Sequence, residues 1–419
     1  MVIKKKYLCA MAKKFIPAYL LTFVNVLGFS ILMPILPFVV DSYGAPKWVF
    51  GLLLTLYSAF QFIGAPLLGG MSDSMGRKRI LLVSQGGTLL SWVIFAFALS
   101  LPEFPIFGIA LPLIIIAVSR AFDGITGGNA SVTNAYISDI TTREEKSYIF
   151  GYLGGIAGIG MIIGPGLGGL AGSTSLGYLG TILIAMAVSV IALLTIFLWL
   201  KESHPPENRV PREKVSVWGL LNIPGRVRRA NPSEVIKSIF TIKMLFSSMM
   251  AFYIGTMALF LIDRFHFDTT SLGTFFFVAG AFLAFNQAVL SKLFVKRLGE
   301  FRTLIFGLVL ATIGMVCLTF SRDLYVFIAF YYVLNLGLSL CFPTFNALIS
   351  MHANPKKQGE IMGISEAINS FAMALFPVVS AFLYDLFGFN LYFFISALPA
   401  AGLVLALISL RKVGAKAFD

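Results

Sequence analysis

The sequence predicts an all-α membrane protein in which twelve transmembrane helices form two six-helix bundles. The 419 residues are 58% hydrophobic and 12% charged, against about 25% charged residues in a soluble domain. Apolar segments recur at lengths that can cross a bilayer, which takes about 20 helical residues. A short motif of the first half returns in the second half, which indicates that the second bundle repeats the first.

Twelve apolar segments are long enough to be transmembrane helices. The longest polar interval, 201–236, contains five prolines and is predicted to be a linker. We therefore expect an N-terminal bundle over 1–200 and a C-terminal bundle over 237–419. The predicted spans lie at about 15–40, 48–72, 79–100, 110–138, 147–172, 177–200, 237–262, 271–293, 302–321, 323–350, 358–386 and 389–410.

Basic residues are concentrated on one side of the predicted spans. Of the 32 Lys and Arg, 28 fall in the terminal tails, in alternate loops, or in the linker and its flanks, and three fall in the opposite loops. Basic loops stay in the cytoplasm, so both termini and the linker are expected there. The net charge of +13 is therefore a signal of topology, and no nucleic-acid partner is expected. A cleaved signal peptide is the alternative at the N-terminus, and the length of its apolar run disfavours it.

The cysteines and histidines number three each and are widely scattered. Their spacing matches no disulfide framework and no metal site, so neither a metal nor a cofactor is expected. A membrane-embedded enzyme would need clustered catalytic groups, which the sequence does not offer. We expect a protein that is not an enzyme.

An internal repeat relates the two halves. The segment Asn134–Ser138 reads Asn-Ala-Tyr-Ile-Ser, and Asn346–Ser350 reads Asn-Ala-Leu-Ile-Ser, 212 residues later. The same offset pairs Pro165 with Pro377. Such halves would be parallel repeats related by an axis along the membrane normal. Chance similarity between apolar segments is the alternative.

The charged residues Arg120, Asp123 and Glu366 are located well inside predicted spans. Arg120 and Asp123 are three apart, so they share one helix face and can form an ion pair. Charges at membrane depth are costly and usually mark a transport pathway or proton relay, although a purely structural pair is the alternative. Glu366 is either a buried proton carrier or a solvated acid near the cytoplasmic end of its helix.

The loop between spans two and three is a charged turn with three consecutive cations. It resembles the conserved loop of the major facilitator superfamily, except at Ser74, where the family usually has a basic residue. The resemblance implies the major facilitator fold and a conformational latch at this loop, whereas a merely basic, topogenic loop is the alternative. In the fourth span, Arg120 resembles a conserved arginine of the same superfamily, which implies a role in proton transfer. The latch residues are Gly69, Asp73, Gly76, Arg77 and Lys78.

Span five contains a cluster of glycines around a proline. Proline kinks a helix, and glycines let a neighbouring helix approach closely. The segment resembles the antiporter motif of the same superfamily, which implies export by antiport; a packing kink is the alternative. The motif residues are Gly160, Gly164, Pro165, Gly168 and Gly169.

Span one closely resembles that of the tetracycline-resistance exporters, except at Asn25, where those proteins have an acid important for coupling. Asparagine cannot titrate, so we expect Asp123 or Glu366 to supply the missing acid. Gln61 matches the second span of the exporters. The small-residue segment around Asn129 also resembles theirs, and Asn129 either faces substrate or serves packing.

The resemblance to twelve-span drug:proton antiporters covers nearly the whole chain. It implies export of a small amphiphilic or tetracycline-like solute, in exchange for protons and by alternating access, through a monomer in a bacterial inner membrane. A transporter of another solute, such as a siderophore, a metabolite or a lipid-linked sugar, is the alternative. The polar residues expected along the substrate cavity are Asn25, Gln61, Asn129, Tyr253, Asn286, Gln287 and Asn335.

Overall fold

The computed structural model describes residues 2–106, 108–209, 219, 222–354 and 357–413. Ten of its helices are long and apolar enough to cross a membrane. The last of these, Gln358–Ser409, is a helical segment of 52 residues with breaks near residues 388 and 396, and it is long enough for two crossings of about 20 residues. A shorter apolar helix, Phe15–Ser30, precedes them. The prediction of an all-α membrane protein is confirmed, and this set of helices is consistent with twelve spans.

Two of the predicted spans before the linker are each interrupted, so that two helices take the place of one. Span one is divided between α1 and α2, and span four between α5 and α6. A short antiparallel hairpin of β1 (Pro105–Ile106) and β2 (Ile109–Ala110) precedes α5. The helices are α1 (Val2–Ser30), α2 (Leu36–Ser42), α3 (Trp48–Met75), α4 (Arg77–Leu99), α5 (Leu111–Gly127), α6 (Ala130–Ile140), α7 (Arg143–Gly172) and α8 (Gly177–Trp199).

The linker contains a 3₁₀ turn, Pro206–Asn208, and the short helix α9 (Ile223–Ala230). Beyond it, a π-helical turn, Asn286–Ser291, joins α11 to α12, and a 3₁₀ turn, Gly388–Asn390, follows α15. The helices are α10 (Glu234–Phe265), α11 (Thr269–Phe285), α12 (Lys292–Leu298), α13 (Glu300–Phe320), α14 (Leu324–His352), α15 (Gln358–Phe387), α16 (Leu391–Ile395) and α17 (Ala397–Val413).

The chain divides into two compact units. The prediction that a boundary at the linker separates two bundles, over 1–200 and 237–419, stays a prediction. The first unit comprises Met1–Ala45, Leu56–Val217 and Thr269–Phe277, and the second comprises Pro46–Thr55, Trp218–Asp268 and Val278–Asp419.

Small residues allow the helices within each unit to pack closely. In the second unit, α13 crosses α14 where Gly307 faces Gly337, and a methyl group on Gly337 would lie 2.7 Å from the Gly307 carbonyl oxygen. In the first unit, an apolar core that includes Leu21, Leu68 and Leu81 packs against α6 and α8. Close packing of small residues takes the place of the hydrophobic effect between membrane helices, because lipid tails are as apolar as the side chains.

Candidate functional site

A buried ion pair lies inside α5. Arg120 Nη1 is 2.8 Å from Asp123 Oδ2, and the two side chains are 2% and 5% exposed. The guanidinium carbon of Arg120 lies 4.4 Å from the centre of the Tyr57 ring, which adds a cation–π contact. On the neighbouring α4, Thr88 Oγ1 lies 3.1 Å from Thr126 Oγ1, three residues beyond Asp123 on α5. The structure brings these two charges together, and their part in proton coupling stays a prediction.

The amide side chains of Asn25, Gln61 and Asn129 lie around the break between α5 and α6. Gln61 Nε2 donates to the Gly127 carbonyl oxygen at 3.3 Å and to the Tyr57 hydroxyl at 3.1 Å. Asn25 Nδ2 donates to Asn129 Oδ1. Within the described structure, the fully buried Asn129 Nδ2 atom has no hydrogen-bond partner. The break therefore places polar groups inside a membrane span, and Tyr57 lies between them and the ion pair.

Glycines bring α3 close to α5 at this point. A methyl group on Gly64 would lie 2.8 Å from Ile125 Cα, and one on Gly128 would lie 2.9 Å from Ala65 Cα. The small-residue segment of span four thus serves close packing, as its composition indicates. Because the backbones approach so closely, side chains of α3 reach the charged pair and the break.

The glycines of the antiporter motif face two different helices. Gly160 and Gly164 contact α1, where a methyl group would lie 3.1 Å from the Phe23 carbonyl oxygen and 3.0 Å from Ser30 Cβ, respectively. A further glycine of the motif, Gly168, packs on the turn after α1, where a methyl group would lie 3.2 Å from Pro34 Cγ.

The other two motif residues face α11. A methyl group on Gly169 would lie 2.8 Å from Gly273 Cα. Pro165 lies inside α7, and its carbonyl oxygen would be 2.6 Å from a methyl group on Gly273. The motif therefore packs α7 against α1 on one side and α11 on the other, and its part in antiport stays a prediction.

The predicted latch is a charged network at the junction of α3 and α4. Gly76 has a φ of 99°, a left-handed conformation that favours glycine. Arg77 Nη1 is 2.6 Å from Asp73 Oδ1, and Arg77 Nε is 3.1 Å from Asp139 Oδ2. One arginine thus joins the end of α3 to the end of α6.

The remaining two latch residues contact other helices. Lys78 Nζ donates to the Phe197 carbonyl oxygen of α8 at 2.9 Å. A methyl group on Gly69 would lie 3.5 Å from Ser131 Oγ of α6, which is an ordinary van der Waals distance. The structure brings the five predicted residues to one junction, and their action as a latch stays a prediction.

Sequence reasoning missed two acids of this network. Asp139 contacts Arg77, as described above, and accepts a hydrogen bond from Ser203 Oγ at 3.0 Å. Glu202 accepts from the backbone nitrogens of Arg77 at 2.8 Å and Lys78 at 3.2 Å. A carboxylate stabilises a helix N-terminus, here that of α4. Asp139 could have been recognised as an acid that directly follows a predicted span, whereas no local sequence pattern distinguishes Glu202.

A second polar network lies in the second unit. The Tyr253 and Tyr331 hydroxyl oxygens are 2.6 Å apart. Asn286 Nδ2 donates to Asn335 Oδ1 at 3.4 Å, and Asn335 Nδ2 donates to the Ala279 carbonyl oxygen at 3.0 Å. Asn286 begins the π-helical turn, a distortion that is frequent at functional sites. The structure thus groups three predicted cavity residues near this turn, and the fourth, Gln287, is half-buried at the next position.

Lys243 requires a correction to the sequence analysis, which places it among the basic residues flanking the linker. It is 8% exposed inside α10, where Nζ donates to Ser365 Oγ at 2.6 Å and to Asn346 Oδ1 at 3.5 Å. Glu366 is exposed on α15 and accepts from Asn369 Nδ2 at 3.4 Å. Its part in proton coupling stays a prediction.

Comparisons with known proteins agree with this architecture. The chain is 27% identical over 387 residues to the class H tetracycline resistance protein of Pasteurella multocida, which covers 90% of each chain. It is 29% identical to the class G protein of Vibrio anguillarum, over 88% of this chain and 89% of that one. The structure of the human organic anion transporter MFSD10 (TETRAN) superposes with a TM-score of 0.69 at 22% identity, covering 94% of this chain and 99% of that chain.

The sequence profile of the Major Facilitator Superfamily matches residues 18–364 and 293–418. The match extends over nearly all the helices described above. The chain is a membrane transporter that belongs to the Major Facilitator Superfamily.

Proposed function

We propose that this transporter exports a small amphiphilic solute in exchange for protons, by alternating access. The observation that carries the proposal is the buried Arg120–Asp123 pair inside a membrane span. An ionisable group at such a depth is costly to keep and marks a proton or substrate pathway. The carboxylate of Asp123 takes up the proton in this scheme, because Asn25 cannot titrate.

Protonation of Asp123 would remove the negative partner of Arg120. The guanidinium would then keep its contacts with the rings of Tyr57 and Trp92, and the Tyr57 hydroxyl accepts from Gln61. The effect of protonating Asp123 would thereby be transmitted to the α5–α6 break through the side chains of Tyr57 and Gln61. This coupling between proton uptake and a helix break supports a population shift between two conformations.

The substrate class rests on similarity. The similarity to tetracycline resistance proteins, at an identity of about 27%, supports an amphiphilic drug-like solute as a property of the family. A second candidate is an organic anion, favoured by the likeness to MFSD10 and by the buried cation Lys243. Siderophores, metabolites and lipid-linked sugars are the further solute classes.

We also propose the orientation and assembly. The distribution of Lys and Arg supports both termini and the linker on the cytoplasmic side of a bacterial inner membrane. Two six-helix bundles, over 1–200 and 237–419, would rock as the moving parts of a monomer. The loop network of Asp73, Arg77 and Asp139 would act as the latch.

The test is proton movement in energised inside-out vesicles that contain the protein. Addition of a transported solute should dissipate the pH gradient, and Asp123→Asn should abolish the response. Glu234→Gln, which removes an exposed acid of α10, is the matched control and should retain it. Tetracycline, a set of cationic drugs and a set of organic anions identify the substrate class. A full response by the Asp123→Asn variant would refute the role of Asp123.

A further inference from the structure

Lys243 lies deep within α10. It follows the first residue of the helix by nine positions, which at 1.5 Å per residue is roughly 14 Å along the axis. Its side chain is buried, and α14 and α15 supply the two oxygens that hold its ammonium group. Three helices therefore converge on one cation inside a membrane-spanning region.

The partners of this cation are neutral. Ser365 Oγ and Asn346 Oδ1 accept from Nζ, and within the described part of the chain no carboxylate oxygen lies within 4.0 Å of it. Glu366 interacts with Lys243 only at longer range. A buried charge without a direct counter-ion is strongly unfavourable. The site therefore has an unbalanced positive charge that a bound anion would neutralise.

The cation lies close to an accessible surface. Asn346 and Glu366 are exposed, and so are Gly359 and Gly363 on the same face of α15. A carboxylate within a membrane span faces water or a cavity, since contact with lipid is too costly. A methyl group on Gly359 would meet no atom within 4 Å. A methyl group on Gly363 would lie 4.0 Å from Nη2 of Arg226 in α9, so the ammonium group lies below a polar surface to which α9 contributes a second cation.

We propose that Lys243, Ser365 and Asn346 bind the anionic group of the transported solute, a carboxylate or an acidic enol. This rests on the proposed function, because it assumes that a small solute reaches this face. Lys243 supplies the charge, the Ser365 hydroxyl and the Asn346 amide nitrogen supply further donors, and charge-assisted hydrogen bonds of this kind are the strong ones. Glu366 repels the anion and limits its affinity.

Binding of two related dyes to the purified full-length protein in detergent tests the proposal. Fluorescein is an anion at neutral pH, and rhodamine 6G has a similar ring system with a positive charge. Fluorescence polarisation gives the dissociation constant for each. Lys243→Gln should weaken fluorescein binding about tenfold or more and leave rhodamine 6G binding nearly unchanged, because a hydrogen bond to a charged group is lost.

Three further variants separate this site from a folding effect. Lys243→Arg keeps the charge and should retain most fluorescein binding, whereas Lys237→Gln, on an exposed turn of the same helix, should change neither dye. Glu366→Gln removes the repulsion and should tighten fluorescein binding about threefold, a gain that misfolding cannot produce.

Unchanged fluorescein binding in Lys243→Gln, or an equal loss of both dyes, would overturn the inference. Binding of rhodamine 6G but not fluorescein by the native protein would also overturn it and leave the proposed export function standing. Failure to bind either dye would count against the anion site, while the vesicle experiment decides the export function on its own.

Discussion

The Arg120–Asp123 pair allows structure and function to be separated by a double-mutant cycle. Asp123→Leu leaves the guanidinium of Arg120 buried without a counter-ion, and breaking a buried pair in this way costs about 3–5 kcal/mol. Arg120→Met should cost less, because Asp123 can accept a proton and so avoids leaving an unpaired buried charge. The double variant removes both charges and should recover most of the loss, with a coupling energy of about 2–3 kcal/mol.

The assay is unfolding of the purified protein in mixed micelles with increasing SDS, followed by circular dichroism. Glu234 and Lys237 form the control pair, since they have the same three-residue spacing on a helix but are 82% and 42% exposed. Their coupling should stay below about 1 kcal/mol. If the losses in unfolding free energy of the two single variants add up to that of the double variant, the ion pair does not stabilise the protein. If the double variant is stable and still transports protons, the pair is structural only.

Three further predictions concern the other contacts. Gly164→Ala should lower the free energy of unfolding by about 1–3 kcal/mol in the same assay, because the added methyl group meets Ser30. Gly154→Ala should not lower it, because its methyl group would have no atom within 4 Å, and equal losses would contradict the packing role. Arg77→Gln should cost about 1–3 kcal/mol through its contacts with Asp73 and Asp139, and the exposed Arg79→Gln should stay within about 0.5 kcal/mol; similar values for both would exclude a specific latch contact. Tyr331→Phe should cost about 1–3 kcal/mol by leaving the buried Tyr253 hydroxyl unpaired, in contrast to Tyr325→Phe, whose ring is 81% exposed; no difference between them would refute that hydrogen bond.

Sequence reasoning is sufficient where spacing along one helix decides the contact. Three residues separate Arg120 from Asp123, so one turn of helix brings them together whatever lies around them. Pro165 and Pro377, paired by the repeat, both lie inside long helices. The turn at Gly76 also follows from local chemistry, since its backbone adopts the left-handed conformation that glycine favours.

Contacts between helices are where sequence reasoning fails. Lys243 resembles a surface charge because it lies close to the basic linker, and only its position against Ser365 shows that it is buried. The contact of Glu202 with the start of α4 joins residues 125 positions apart. No local pattern encodes such pairs, because they depend on how each helix is rotated and tilted.

Composition and segment length are enough to establish that this protein crosses a membrane as a set of helices. In a bilayer every backbone polar group must be satisfied within the protein, so a long apolar segment has few options other than a helix. Which polar side chains meet, as at the α5–α6 break and around Lys243, follows only from the packing of the folded chain. The physical reason is that helix rotation is set by contacts of small residues such as Gly64 and Gly128, whose partners lie on other helices.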